Sequence, residues 1–192
     1  MSAPNTGIIN SPLIGLEGFH VARLLTDPAN GQATYEDSIA IPHVREIGIK
    51  PQNSNATLYA DNQAVDSAST TSEYELTINT ASLPLEYKAY LLGHKLENGV
   101  MTAGKDDVAP YFAVMFACNK KNGKKRYCKF LKVQFMEPDE SPQTKADKLE
   151  YNTPSFSGKA IYRSSDGLSY RQADEELEEF TAEMAAKWYT EV

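Results

Sequence analysis

The side chains of this chain that could do chemistry are three histidines, two cysteines and one dense run of lysines. A metal site needs His and Cys ligands that converge on one ion. His20, His43 and His94 lie far apart, and none stands at ligand spacing from Cys118 or Cys128. They read as surface or half-buried histidines. There is no phosphate-cradling GxxxxGK[ST], no GxGxxG after a strand and no GxSxG elbow. Tyr59-Ala60-Asp61-Asn62 sets two polar side chains beside a tyrosine. Without a nearby His or Cys, these read as a turn in which Asp or Asn bonds its own backbone. Cys118 and Cys128 flank a turn, and with a three-residue loop they would face each other as a conceivable redox pair. Two inert, buried thiols is the better reading, because two cysteines make no disulfide framework. No catalytic, cofactor-binding or metal-ligating set emerges, so the chain reads as a non-enzyme.

The lysines are different. Between Lys120 and Lys132 there are seven Lys/Arg and no acid; the remainder holds twelve bases against 26 acids, or −14 within a net charge of −7. One basic patch is the electrostatic footprint of phosphate binding. These lysines, however, crowd a turn tip with few aromatics between them, and the pI is about 5.0. A protein–protein role therefore ranks above nucleic acid. The candidate contact pairs Lys120, Lys121, Lys124, Lys125, Arg126 and Lys129 of one copy with an acidic run of another. That run is Asp174, Glu175, Glu176, Glu178 and Glu179, or else the loop Glu137–Glu140.

The elements that must position these charges are mostly strands. Asn122-Gly123 predicts a type I′ hairpin turn, in which both central residues take φ > 0. Tyr111–Ala117 before it is nearly continuous in apolar residues; Tyr127–Phe135 after it alternates, with Lys129 on the apolar face. Phe19–Leu25, Thr34–Ile41 and Val44–Lys50 read as strands, the last closed by Pro51, and Thr57–Ala60 as a short one. Asp61–Ser72, small and polar, reads as a loop that orders on meeting a partner, as do residues 1–18. In Glu73–Thr80, Tyr74, Leu76 and Ile78 face the core. Ser82 to Gly93 predicts a helix with Ser82 as cap, Gly93 as stop, and Leu85, Ala89 and Leu92 on the buried face. Glu97–Met101 holds a further Asn-Gly turn. Asn152–Arg163 and Leu168–Arg171 predict two strands around Ser165-Asp166-Gly167. Leu177, Phe180, Met184 and Trp188 recur at helical spacing, which predicts an amphipathic helix over 173–189 with its acids at the positive end of the dipole.

Together these give a mainly β (α+β) fold: an antiparallel β-sandwich or half-barrel with one short flanking helix and a terminal amphipathic helix. The expected organisation is an extended arm over 1–18, a β-sandwich domain over 19–163, and a hairpin strand with helix over 164–192. No run approaches the roughly 20 apolar residues that span a bilayer, and the first 18 residues lack the segments of a signal peptide. Both predict no membrane partner and reduced thiols in the cytosol.

Read in order, GLEGFHVARL, ATLYADN, SEYELTI, LPLEYKAYLLGHKLENGV, PYFAVMF, KKRYCKFLKVQF, PDESPQTKAD and YNTPSFSGKAI resemble the major tail, or tail tube, proteins of long non-contractile-tailed (siphovirus-type) bacteriophages. The resemblance covers about residues 15–163 and rests on order and spacing rather than on any single piece. It implies two packed antiparallel sheets, with the helix role falling to Ser82–Gly93. Subunits would join edge to edge into homohexameric rings that stack into a tube for DNA ejection. Implied partners are other copies of the chain, a tape measure protein, a tail terminator and tail tip proteins, with DNA passing through unbound. The place is the virion tail, assembled in the host cytoplasm, and no cofactor is implied. The acidic balance fits a conduit, since six copies at −7 give −42 around the DNA. Two alternatives are a tail completion or tail tip protein of the same fold, and, from another class, a monomeric β-sandwich carbohydrate-binding module.

Overall fold

The structure, a computed structural model, describes residues 11–60, 63–138 and 153–192. In chain order the elements are β1 (Leu13–Thr26), β2 (Thr34–Tyr35), β3 (Ile39–Ala40), β4 (Val44–Ala60), β5 (Gln63–Thr80), α1 (Leu85–Leu92), β6 (Lys95–Glu97) and β7 (Val100–Thr102). There follow β8 (Tyr111–Lys120), β9 (Lys125–Phe135), β10 (Ser155–Ala160), β11 (Tyr170–Asp174) and α2 (Ala182–Lys187). Nine strands form one sheet in the order β2-β1-β8-β9-β10-β5-β4, with β3 also on β1 and β11 also on β9; β6 and β7 make a separate hairpin. The fold is mainly β and antiparallel, sandwich-like and open rather than closed as a barrel, with two helices, as the sequence predicts.

The core lies on the α1 side of the sheet. Phe112, Val114 and Phe116 of β8 and Phe130, Val133 and Phe135 of β9 pack with Leu76 and Ile78 of β5 under Leu91 and Leu92 of α1. Each such side chain contributes about 1.5–3 kcal/mol when fully buried. The opposite face of β1, β8 and β9 is covered as well. There Ala22, Ala113 and Met115 lie under Tyr35 and Tyr189, and Tyr127 packs against Phe180, Trp188 and Tyr189. Burial on both faces is why β8 reads as a continuous apolar run rather than an alternation.

Several expectations are corrected. Pro51 does not end β4, which runs on to Ala60 as an edge strand whose outer side needs no N–H donor there. The polar stretch expected as a loop over Asp61–Ser72 belongs to β5 from Gln63 onward, in register with β4 down to Ala60↔Gln63; Asp61 and Asn62 lie outside the described residues. Main-chain pairing, which leaves no apolar signature, forms this ribbon. The expected arm is strand from Leu13, paired with β8 through Leu13↔Lys120; residues 1–10 lie outside the described residues.

Helix α1 starts at Leu85 behind Pro84, with no side-chain cap from Ser82, while Gly93 closes it at φ 73° as predicted. Leu91, not Leu85, joins Ala89 and Leu92 in burial. Helix α2 is far shorter than the predicted 173–189. Thr181 caps it by accepting from Met184 N, so the acids from Asp174 to Glu179 precede the helix instead of opening it. The strand predicted at Leu168–Arg171 runs Tyr170–Asp174.

The charged hairpin has a three-residue loop. Gly123 N donates to Lys120 O at 3.0 Å and Lys120 N to Lys124 O at 2.8 Å. Only Gly123 takes positive φ (82°), so the turn is not type I′. Its register sets Cys118 opposite Arg126 and Phe116 opposite Cys128. The thiols are therefore diagonal neighbours, not a facing pair. Asn98-Gly99, by contrast, has φ of 51° and 78° at both central positions.

Candidate assembly surface

The predicted bases and acids do meet, and they meet within one subunit. Lys120 follows nine residues of buried or half-buried strand and is itself buried. Its Nζ donates to both carboxylate oxygens of Asp174, at 2.6 and 2.7 Å, and to Glu176 Oε2 at 2.5 Å. Arg126 Nε adds 3.0 Å to Asp174 Oδ2. Glu175 receives Lys125 N at 2.8 Å and the Tyr127 hydroxyl at 2.9 Å, and Lys124 Nζ donates to its carbonyl at 3.1 Å. Asn122 Nδ2 and Ser11 N both donate to Glu176 Oε1, at 2.6 and 3.2 Å. Lys125 also pairs with Glu17.

The local reason is register. β11 lies antiparallel on β9 with Asp174↔Arg126, which delivers the three acids beside the hairpin tip. Burial raises the Asp174 carboxyl, but bonds from Lys120, Glu176 N and Arg126 outweigh it and hold the group below its ordinary range. The Lys120 ammonium likewise holds Glu176 down. Such a pair secures structure more than it drives stability, since desolvation offsets much of the Coulomb gain.

The remaining predicted residues divide. Lys121 and Lys124 are exposed at the tip, and Glu178 and Glu179 are exposed beyond the acidic turn. Lys129 is buried on the face opposite α1, donating to Glu191 O beneath the Trp188 ring, 4.8 Å from its centroid. Burial first, then the charge of Arg171, pulls the Lys129 ammonium down to about 8.

Two networks escaped sequence reasoning. Asp27 accepts from Lys132 Nζ at 2.7 Å and from Ser164 N and Ser165 N at 2.8 and 2.9 Å. Beside it Arg163 reaches Asp166 and the Tyr35 hydroxyl, 3.0 Å away. The Arg163–Asp166 spacing around Gly167 was a visible signal; Asp27 and Tyr35 are too distant in sequence to give one. Likewise His94 Nδ1 bonds Asp107 at 2.8 Å and Nε2 bonds Glu137 at 2.5 Å. The two carboxylates hold its ring above the ordinary histidine value, Glu137 contributing most. Among the described residues no group of His, Cys, Asp and Glu is arranged to hold a metal ion, and no helix is long and apolar enough to cross a membrane.

Among the described residues, Lys120, Arg126 and Lys125 hold the Asp174–Glu176 segment on the sheet, while the outer edge of β4 pairs no further strand. An open strand edge is a surface on which a further strand can pair. A family model for phage tail tube proteins matches residues 50–191, and the chain belongs to that family. No curated protein matches the sequence. Membership makes the chain a structural component of a virion tail that self-associates into a tube.

Proposed function

We propose that six copies close into a ring, that rings stack into the tail tube of a siphovirus-type phage, and that DNA leaves the capsid through its lumen. The observation that carries this reading is the outer edge of β4, seventeen residues long, which pairs no further strand among the described residues. A strand edge of that length exposes a row of unpaired N–H and C=O groups. Pairing that edge with a neighbouring copy satisfies them, and a closed ring lets every copy do so in turn. β4, β5 and β10 also present a polar face away from the core, bearing Glu46, Lys50, Glu73, Glu75 and Lys159. Glu73 pairs with Lys159 at 2.9 Å, and Glu75 accepts from Gln52 at 3.0 Å. A wall of this type offers DNA phosphates no basic track, so the duplex slides without binding. We assign that face to the lumen.

Assembly in the host cytoplasm on a tape measure protein, capped by terminator and tip proteins, completes the reading. Negative-stain electron microscopy of the purified protein tests it. Six-fold rings or tubes with a central channel are expected, and a monomer at every concentration and salt would overturn it.

A further inference from the structure

His94 joins three segments around the end of α1. It follows Gly93, the left-handed stop of that helix, and its side chain is only 9% exposed. Its Nδ1 lies 2.8 Å from Asp107 Oδ2, in the loop that leads into β8. Its Nε2 lies 2.5 Å from Glu137 Oε1, just past the end of β9. A carboxylate accepts hydrogen bonds and does not donate them, while a neutral imidazole has a single N–H. Asp107 Oδ2 is already an acceptor, since Gly104 N donates to it at 2.9 Å. A carboxylate at each ring nitrogen therefore requires two N–H donors, which only the imidazolium has. The two bonds, that of Glu137 first, also hold the ring above its ordinary value.

The other charges around the ring face elsewhere or stand further off. Lys88 of α1 approaches Glu137 at 3.9 Å. Lys95 of β6 meets Glu97 at 2.9 Å, and Lys105 lies 4.0 Å from its neighbour Asp106.

The ring grips two pieces of chain that have little else to hold them. Met136 N donates to Ser157 O at 2.9 Å. Beyond it, among the described residues, Glu137 is tied by His94 and by the longer approach of Lys88. Met136 and Pro138 close a narrow apolar crevice against Leu83, Leu91 and Leu92. On the other side, the Asp107 loop lies so close to the helix stop that a Cβ on Gly93 would sit 2.5 Å from Val108 O.

We propose that His94 is a proton-operated latch, which as an imidazolium holds the Gly104–Asp107 loop and the Glu137–Pro138 exit of β9 against the end of α1. A neutral ring has one N–H for two carboxylates and leaves one of them facing its lone pair. Loss of a single proton therefore loosens the loop, and it frees Pro138 to lift from the crevice over Leu91 and Leu92. The latch is a property of the single subunit and does not rest on the tail tube reading.

Two measurements on one titration test it. Nitrogen NMR of the histidine rings, assigned by the signals that His94→Gln removes, reads the proton count. At pH 6.5 most His94 rings should carry protons on both nitrogens. Hydrogen exchange at Gly104 and Met136, taken against the intrinsic rate at each pH, reads the grip. Between pH 6 and 9 protection at both should fall roughly fivefold, with the midpoint of the ring titration, because one exposed ion pair contributes no more than about 1 kcal/mol. Amides in the middle of β8 should show no such step. His94→Gln, which has no proton to lose, should start at the lower protection and stay flat over that range. A ring found mostly neutral at pH 6.5, or protection that ignores its titration, overturns the latch. The wild-type titration decides this even if the variant folds poorly.

Discussion

The β8–β9 ribbon and the β4–β5 ribbon are both long antiparallel hairpins, and they are held by opposite means. β8–β9 is buried on both faces, by the aromatic core on one side and the terminal strap on the other, and its charged tip is tied down by Asp174, Glu175 and Glu176. β4–β5 packs Ile47, Leu76 and Ile78 near its base. Beyond Gln52↔Glu73 it continues as a main-chain ladder with small polar residues in its sequence. The first ribbon is completed by its own chain, and the second has an outer edge that pairs no further strand among the described residues. Stability should therefore reside in the first and assembly in the second.

The sharpest way to break that contrast is to unpair the strap. Replacing Lys120 with Met removes a fully buried ammonium and leaves Asp174 without its main partner. Breaking a buried pair from one side costs about 3–5 kcal/mol, and in a chain of this size that lowers Tm by roughly 10 °C. Chemical denaturation followed through Trp188 should show the loss. A Lys120→Met variant as stable as wild type would mean that the strap is ornamental.

Acid should do the same job reversibly. Asp174 and Glu176 have folded values below their ordinary 3.8 and 4.5. Their contribution is present above those values and lost as pH falls through the lower folded ones. Asp27 behaves alike, because the bonds from Lys132, Ser164 and Ser165 outweigh the burial that would raise it. His94 has the opposite sign. Its raised value gives a contribution complete below 6.5 and lost as pH rises through the folded value. Trp188 emission should therefore redden only below about pH 4, while protection of Gly104 and its neighbours, measured against the intrinsic exchange rate at each pH, should fall at both ends, in acid as Asp107 takes up a proton and on the alkaline side as His94 loses one. Coincident transitions would show that the strap and the His94–Asp107–Glu137 network are one cooperative unit.

The two ribbons also differ in how legible they were. Leu76 and Ile78 facing in, Gly93 ending α1 and the continuous apolar run of β8 all follow from periodicity and turn chemistry, which are local. The distal β4–β5 ribbon was unreadable because ladder hydrogen bonds are the same for every side chain. The acidic run was read by its composition as the start of a helix, yet its register on β9 makes it a counter-ion for Lys120. That pairing depends on contacts more than fifty residues apart in sequence. The resemblance stopped near residue 163, whereas the family match reaches 191 and takes in the strap. The intrachain use of Lys120 and Asp174 leaves the tip, not the whole basic run, for a neighbouring copy.

Truncating the distal hairpin should touch stability less. Joining Asn53 to Thr71 through an Asn-Gly turn removes ladder and leaves every residue of the described core in place, so Tm should move by only a few degrees, while rings and tubes disappear from electron micrographs. Tubes that persist would move the assembly edge elsewhere in the sheet.

The smallest expected effect lies at the basic tip itself, and it decides whether any of that charge serves a neighbour. Lys125 is a poor probe, because it pairs with Glu17 and its amide holds Glu175. Glu176 is equally poor, being bound to buried Lys120. Lys121 and Lys124 are exposed, and the Lys124 ammonium donates to the carbonyl of Glu175. Exposed pairs are worth about 0–1 kcal/mol each, so Lys121→Glu with Lys124→Glu should leave the melting temperature almost unchanged. If the tip meets the exposed Glu178 and Glu179 of another copy, this variant assembles more slowly at low salt. The difference should fade as salt screens it over a Debye length of about 10 Å at 0.1 M. Adding Glu178→Lys and Glu179→Lys should then recover the rate, since the charges are exchanged rather than removed. A variant that assembles at the wild-type rate in low salt would confine the basic hairpin to its own chain, and the division between a closed ribbon and an open one would be complete.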